Sequence, residues 1–470
     1  MLFQSVSFVV FLGILIGLLA VVRHPRFRVG ILVVAGWVFY GWWDVRFVPL
    51  LWGYTLIGWL AGLALGSRRL QAHRALALWC SVALSLLPLG FFKYAIFLSK
   101  AFAALIGVAP PALSIVLPVG ISFITFEIIS YLCDVHDGKL KPTRNLLDFA
   151  LFNGFFPRII SGPIIRPAQF LPQIRIAPVL RRSGLLLGGQ LFLIGMFHKV
   201  VLADNLSMFV DRVYQDPLFY SSDTLWLAAV SYSGQIYCDF AGYSLMAIGL
   251  ARMMGFRLPR NFNYPYISLS VTEFWRRWHI SLSLWLRDYL YIRLGGNRRG
   301  AVRTYVNLIV TMLLGGLWHG AGWNFVLWGG LHGVALALER AYRQFREGRS
   351  AAGRPSGGRG AIAVASWAAT FLFVTLAWIP FRSPSAQVTG RFFHGLVAGG
   401  DVAWYPPQVI IVLLIIAALH LPPLQRSRRP AFFPRARILR PVPVFMLTVL
   451  AWCILLFQRT DASPFIYFQF

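Results

Sequence analysis

Gly315-Gly316-Leu317-Trp318-His319-Gly320-Ala321 sets an imidazole inside an otherwise apolar run. The apolar character extends outward on both sides, over 304–318 and 323–338, and each stretch approaches the ~20 residues that a helix needs to cross a bilayer. A group that titrates near neutral pH is costly in hydrocarbon, so a histidine placed there reads as a functional residue. The three glycines and Ala321 leave the backbone beside His319 bare, which predicts room for a thin ligand to reach it.

The composition outside this stretch fits a membrane protein. Apolar residues make up 58% of the chain, aromatic residues 16% and charged residues 13%, and the mean hydropathy is +0.66; this excludes an ordinary soluble domain. The formal charge is +28, from 44 Lys and Arg against 16 Asp and Glu. The basic residues cluster between apolar runs, which is the pattern of cytoplasmic loops facing an anionic leaflet and not of a nucleic-acid-binding face. Apolar runs occur at 6–22, 29–43, 49–65, 75–92, 116–135, 185–203, 225–250, 304–318, 323–338, 361–379, 408–420 and 442–457. The expected fold is an all-α polytopic membrane protein with roughly eleven or twelve transmembrane helices, plus re-entrant and surface helices around a central chamber. Residues 1–470 are read as a single integral-membrane domain. The first run lacks a basic leader and a small-residue cleavage site, so it is expected to stay as a helix. Cys80, Cys133, Cys238 and Cys453 stand singly in apolar stretches and read as small core residues.

Basic clusters follow the odd-numbered runs, whereas 204–223 carries four aspartates against one arginine and reads as a loop on the opposite face; the positive-inside rule then predicts both ends of the chain outside. Residues 145–172, with Pro157, Arg158, Gly162, Pro163, Arg166 and Pro167, cannot form a regular spanning helix; irregular backbone at membrane depth survives only when buried in protein or lining a wet cavity, which predicts a re-entrant element next to a binding chamber. The region 252–303 reads as cytosolic-side amphipathic or re-entrant structure. Within it, Phe274, Trp278 and Ser281 fall on one helical face suited to a membrane surface. Arg276, Arg277, Arg298 and Arg299 offer planar forks for phosphate, and so predict a site for a phosphate-rich donor; contact with lipid headgroups is the alternative. The Gly-, Arg- and Ser-rich stretch 350–360 reads as a flexible loop.

Several longer motifs occur together and in order: Phe39-Tyr40-Gly41-Trp42-Trp43-Asp44, Phe91-Phe92-Lys93-Tyr94, Leu117-Pro118-Val119-Gly120-Ile121-Ser122-Phe123, Gly162-Pro163-Ile164-Ile165-Arg166, Cys238-Asp239-Phe240-Ala241-Gly242-Tyr243-Ser244, the Trp-His segment at His279 and Leu317-Trp318-His319-Gly320. Nearly end to end, the chain resembles the membrane-bound O-acyltransferase family, in the bacterial branch that acetylates polysaccharides. Phe156-Pro157-Arg158 departs from that pattern, which has histidine after the proline. The resemblance implies a multi-pass protein of the bacterial inner membrane. It also implies an O-acetyltransferase that takes acetyl groups from cytosolic acetyl-CoA, with no bound cofactor or metal. The exported or cell-surface acceptor would be an alginate-like exopolysaccharide, cellulose or peptidoglycan, reached directly or through an extracytoplasmic esterase-like partner of the SGNH type. On the same ground His319 is the catalytic histidine, His279 fills the family's second polar position, and Trp318, His332 and Asp239 are candidate chamber residues.

The chemistry agrees, because a hydroxyl becomes an adequate nucleophile only as its proton is removed, and neutral imidazole is suited to that task. His319 is therefore expected to act as general base and later as proton donor to the leaving thiolate, while His279 orients it or polarises the thioester carbonyl. No Ser-His-Asp elbow or His-Glu metal motif occurs. The stretch 461–470, Asp-Ala-Ser-Pro-Phe-Ile-Tyr-Phe-Gln-Phe, resembles the C-terminal motif of this branch, which makes Tyr467 a candidate acyl relay; an interfacial aromatic belt is the alternative. A transporter of a lipid or anionic metabolite is the competing class, but such proteins carry paired broken helices in related halves, and no internal repeat is evident.

Overall fold

A computed structural model describes residues 1–176, 179–349, 359–421, 441–458 and 465–466. Among them every regular element is a helix, apart from one isolated bridge between Tyr220 and Val402. Five helical stretches are long and apolar enough to cross a membrane: Val45–Leu65, Arg68–Ile106, Arg182–Gln215, Ala301–His319 and Gly360–Arg382. Val6–Val21, Pro407–Leu419 and Val444–Phe457 are apolar but shorter. The protein is thus an all-α, multi-pass membrane protein.

The backbone groups into two compact units. The first gathers α1 (Val6–Val21), α2 (Pro25–Gly41), α3 (Val48–Leu65), α4 (Arg74–Leu89), α5 (Ala95–Ile106), α6 (Ile121–His136), α7 (Leu146–Gly154), α8 (Phe156–Ile159), α9 (Pro167–Arg175) and α10 (Arg182–Met196). The second contains α11 (Asp204–Gln215), the part of α12 (Ser222–Met253) up to Gly242, α13 (Val271–Arg277), α14 (Ile280–Trp285), α15 (Ala301–His319), α16 (Trp323–Arg349), α17 (Arg359–Arg382), α18 (Ala386–Gly395) and α19 (Pro407–Leu419).

Two of the expected spans are interior helices. In α6 every residue from Ile121 to Val135 is buried, including Glu127 and Asp134. Along α12 Ser231, Ser233, Gln235 and Asp239 are buried. Such side chains are tolerated because protein surrounds them and supplies partners that lipid cannot. Within the first unit Glu127 pairs with Arg158, whose guanidinium also donates to the Phe152 carbonyl. The arginine that departs from the family pattern is therefore half of a fully buried ion pair. Around it, 145–172 folds as α7, α8 and α9 in place of a spanning helix, and Phe149, Phe152, Phe155 and Phe156 are completely enclosed.

Two sequence expectations fail in the second unit. Residues 204–223 are not a loop: α11 occupies most of them, because Leu206, Phe209, Val210 and Val213 form a buried face. Asp204 joins Lys199 at 2.8 Å, and Asp211 joins Arg382 at 2.5 Å. Nor do Phe274, Trp278 and Ser281 share one surface helix. The chain breaks between α13 and α14, and Phe274, Trp275 and Trp278 point into protein. Of the cysteines, Cys133 and Cys238 are buried, Cys453 is partly exposed, and Cys80 lies on an exposed face of α4. In the loop expected at 350–360, residues 350–358 lie outside the described residues, and Arg359 already begins α17.

The bare backbone around His319 has a different use from the one the sequence suggested. A Cβ on Gly316 would lie 2.1 Å from the Phe325 carbonyl oxygen, and one on Gly320 would lie 2.0 Å from the Phe325 ring. Across the same seam, a Cβ on Gly329 would lie 2.3 Å from the Met312 carbonyl oxygen, and one on Gly333 would lie 2.9 Å from Ile309 Cα. The glycines bring α15 and α16 into backbone contact, as small residues do between membrane helices. Their space is filled by the neighbouring helix and is not open to a ligand.

Candidate active site

His279 caps α14 with φ 40° and ψ 54°. With Tyr264 it is one of two non-glycine residues in the left-handed region among the described residues. Such a conformation persists only where surrounding contacts impose it, and it is a recognised feature of functional sites. The contacts come from Asn261. Its carbonyl accepts from the Ile280 amide at 2.8 Å, and its Oδ1 accepts from the Ser281 hydroxyl at 2.5 Å. The turn aims a fully buried imidazole inward, edge-on to Phe240 with ring centroids 4.6 Å apart. Neither ring nitrogen of His279 meets a hydrogen-bond partner from another described residue. His279 lies outside the spanning helices, and burial pushes its pKa well below the usual imidazole range, to about 3. The ring is therefore neutral and keeps one N–H to donate.

His319 is the last residue of α15 and is buried. Trp318, Trp328 and Phe381 surround it with ring centroids at 4.8, 5.0 and 5.3 Å. The centroids of His279 and His319 are 6.5 Å apart, and Trp318 lies 6.0 Å from His279. The two imidazoles make no direct hydrogen bond; the gap suits a small polar group held between them.

His332, on α16, is completely buried. The Trp275 indole N–H donates to its Nδ1 at 3.2 Å. Because an indole can only donate, Nδ1 must be the unprotonated nitrogen. His332 stands among Trp275, Trp328 and Phe373, in the aromatic packing behind His319.

The four arginines named from the sequence separate. Arg276 lines a cleft of about 620 Å³, joined there by Arg287, Arg340 and Arg343. The apolar part of the wall comes from Ile280, Leu286, Met312 and Leu336. Ile280 adjoins His279 in sequence, and Thr311 on the cleft wall is eight residues before His319, about 12 Å along the helix axis. Arg277 pairs with Glu273 at 2.7 Å and lines a shallower depression with Arg343. Arg298 and Arg299 are exposed and line neither; the turn after Tyr291 carries them away. The cleft suits a ligand with an anionic head and a narrow apolar arm.

Asp239 belongs to a buried polar cluster in which Lys199 Nζ lies 2.8 Å from Asp204 and 2.7 Å from Asp239. The other oxygen of Asp239 accepts from the Ile466 backbone N–H at 2.8 Å. Tyr467 lies outside the described residues.

Sequence reasoning missed Lys199, Asn261, Arg287, Arg340 and Arg343. Lys199 carries a usable signal, since an ammonium inside an apolar run needs a partner, and it is buried. Asn261 gave none, because its role depends on a turn 18 positions away.

The model of the membrane-bound O-acyltransferase family matches residues 140–376. A probable alginate O-acetylase of Pseudomonas putida is 39% identical over 517 aligned positions covering 100% of both chains. A probable alginate O-acetylase of Pseudomonas syringae is 44% identical over 85% of this chain and 76% of its own. A peptidoglycan O-acetyltransferase of Helicobacter pylori is 37% identical over 84% of this chain and 78% of its own. A family match across half of the chain, with full-length similarity to an enzyme of the same kind, makes this protein a member of the membrane-bound O-acyltransferase family.

Proposed function

We propose that the chain moves an acetyl group from cytosolic acetyl-CoA across the membrane for O-acetylation of an exported or cell-surface polysaccharide. The observation that carries this is the pair of histidines, His319 and His279, facing each other at 6.5 Å between ring centroids in a water-poor aromatic surround. The cleft that includes Ile280, the residue after His279, carries Arg276, Arg287, Arg340 and Arg343 and supports a polyphosphate donor whose narrow thioester arm lies along its apolar wall.

His319 is the general base and His279 the carbonyl-polarising donor. The acceptor oxygen attacks the thioester carbonyl carbon while His319 takes its proton, and His279 donates to the oxygen that gains charge. Collapse breaks the carbon–sulfur bond, and His319 returns the proton to the CoA thiolate. The first acceptor in this reading is the phenol of Tyr467, which leaves an aryl acetate. A second attack, by a hydroxyl on the outer side, forms the product ester and regenerates the phenol. The names of the relatives support alginate-like and peptidoglycan-like polysaccharides as acceptors, and cellulose remains in the same class. A separate esterase-like protein outside the membrane completes the transfer to sugar.

The test is CoA release from acetyl-CoA by purified protein. His319→Ala is expected to lower the rate by 10² or more, the low end of what a positioned base contributes; undiminished release by this variant would overturn the assignment.

A further inference from the structure

We infer that Asp239 and Phe240 form a seat for the segment at 465–466, and that Asp239 is a positioning residue for the transfer. Asp239 Oδ2 accepts the backbone N–H of Ile466 at 2.8 Å, while Oδ1 faces Lys199 at 2.7 Å. The next residue on α12, Phe240, receives the Phe465 ring at 5.9 Å and meets His279 edge-on at 4.6 Å. Two consecutive residues of one helix thus hold the segment and touch the site histidine. Phe465 and Ile466 are 2% and 3% exposed, so the segment is inserted and not laid on a surface.

Hydrogen-bond supply explains why the amide belongs there. One ammonium faces two carboxylates, those of Asp204 and Asp239, and all three side chains are at most 5% exposed. Lys199 faces Asp239 Oδ1, so Oδ2 takes its donor from elsewhere, and a buried acceptor left without a donor is costly. The Ile466 amide supplies the donor to Asp239 Oδ2. Lys199 in turn holds the carboxylate in place, so a lysine in an apolar run acts on the segment through Asp239.

The seat extends the reading of Tyr467 as acyl acceptor, because Tyr467 is bonded to Ile466 and a held Ile466 limits where the phenol travels. The seat can be tested without that reading. Ile466→Pro removes the amide hydrogen and leaves the Lys199–Asp239 pair untouched; Ile466→Ala keeps it. Hydrogen–deuterium exchange is followed by mass spectrometry on the peptide spanning 459–470 of the full chain in nanodiscs. The wild type and Ile466→Ala should be protected there. Ile466→Pro and Asp239→Asn should lose protection at the remaining amides by about 10- to 100-fold, the equivalent of one hydrogen bond to a charged group. The same two variants should lower kcat for CoA release by a similar factor with KM for acetyl-CoA unchanged, since the donor cleft is intact. Equal protection in Ile466→Pro and Ile466→Ala overturns the seat, even if Asp239→Asn fails to fold. Tyr467→Phe separates the two ideas: it should stay protected, and if it also kept full activity the relay would fall while the exchange result decided the seat.

Discussion

Replacing Gly329 by alanine should disable the enzyme, while the same change at Gly330 should be tolerated. A Cβ on Gly329 would lie 2.3 Å from the Met312 carbonyl oxygen and 3.1 Å from Leu313 Cα, both backbone atoms of α15. No side-chain rotation relieves that clash, so α15 and α16 must part by about 1 Å, and overpacking of this kind costs about 1–3 kcal/mol. A Cβ on Gly330 would meet only Leu313 Cδ2, at 3.6 Å, an ordinary contact. Met312 and His319 are seven residues apart on one helix, two turns on the same side, so a shift at Met312 is carried to the imidazole. A 1 Å error at a reacting group costs about 10²-fold in rate. Thermal unfolding in detergent and CoA release together measure both effects: Gly329→Ala should lose midpoint temperature and about 100-fold in rate, and Gly330→Ala should keep both. If the two variants are indistinguishable in both assays, the helix seam does not set the position of His319.

Two further outcomes follow from the site. Arg340→Ala combined with Arg343→Ala should raise KM for acetyl-CoA by about tenfold, an effect that weakens with added salt as exposed charges are screened, whereas Arg298→Ala with Arg299→Ala should leave it unchanged; a larger effect from the second pair would place the donor elsewhere. Asn261→Ala removes the side-chain acceptor for Ser281 and so releases the left-handed turn at His279. It should lower kcat by at least tenfold with little change in KM, because strained backbone reverts once a restraint is lost; unchanged kcat would show that the turn does not depend on the Asn261 side chain.

Much of the fold was legible because membrane helices are written locally. A run such as 361–379 must satisfy its backbone within itself and present apolar side chains outward, and both properties can be counted along the chain. The runs at 116–135 and 225–250 read the same way, yet their helices are buried in protein. Hydropathy reports dislike of water and does not distinguish lipid from protein as the alternative. The helix expected through Phe274 and Ser281 failed because its period is sound on both sides of His279, while the break depends on hydrogen bonds that Asn261 accepts from Ile280 and Ser281.

Composition and periodicity, properties of the chain alone, mark an α-helical membrane protein with an imidazole, His319, at a place where hydrocarbon would not tolerate it. What surrounds that imidazole is a matter of packing. It set His279 at 6.5 Å, drew Arg276 into the cleft while leaving Arg298 outside it, and filled the space beside Gly316 and Gly320 with Phe325. It also joined Lys199, Asp239 and Ile466, which are separated by 40 and 227 positions. The physical reason is the same in each case: burial and hydrogen bonding depend on which atoms meet, and distance along a chain does not encode distance in space.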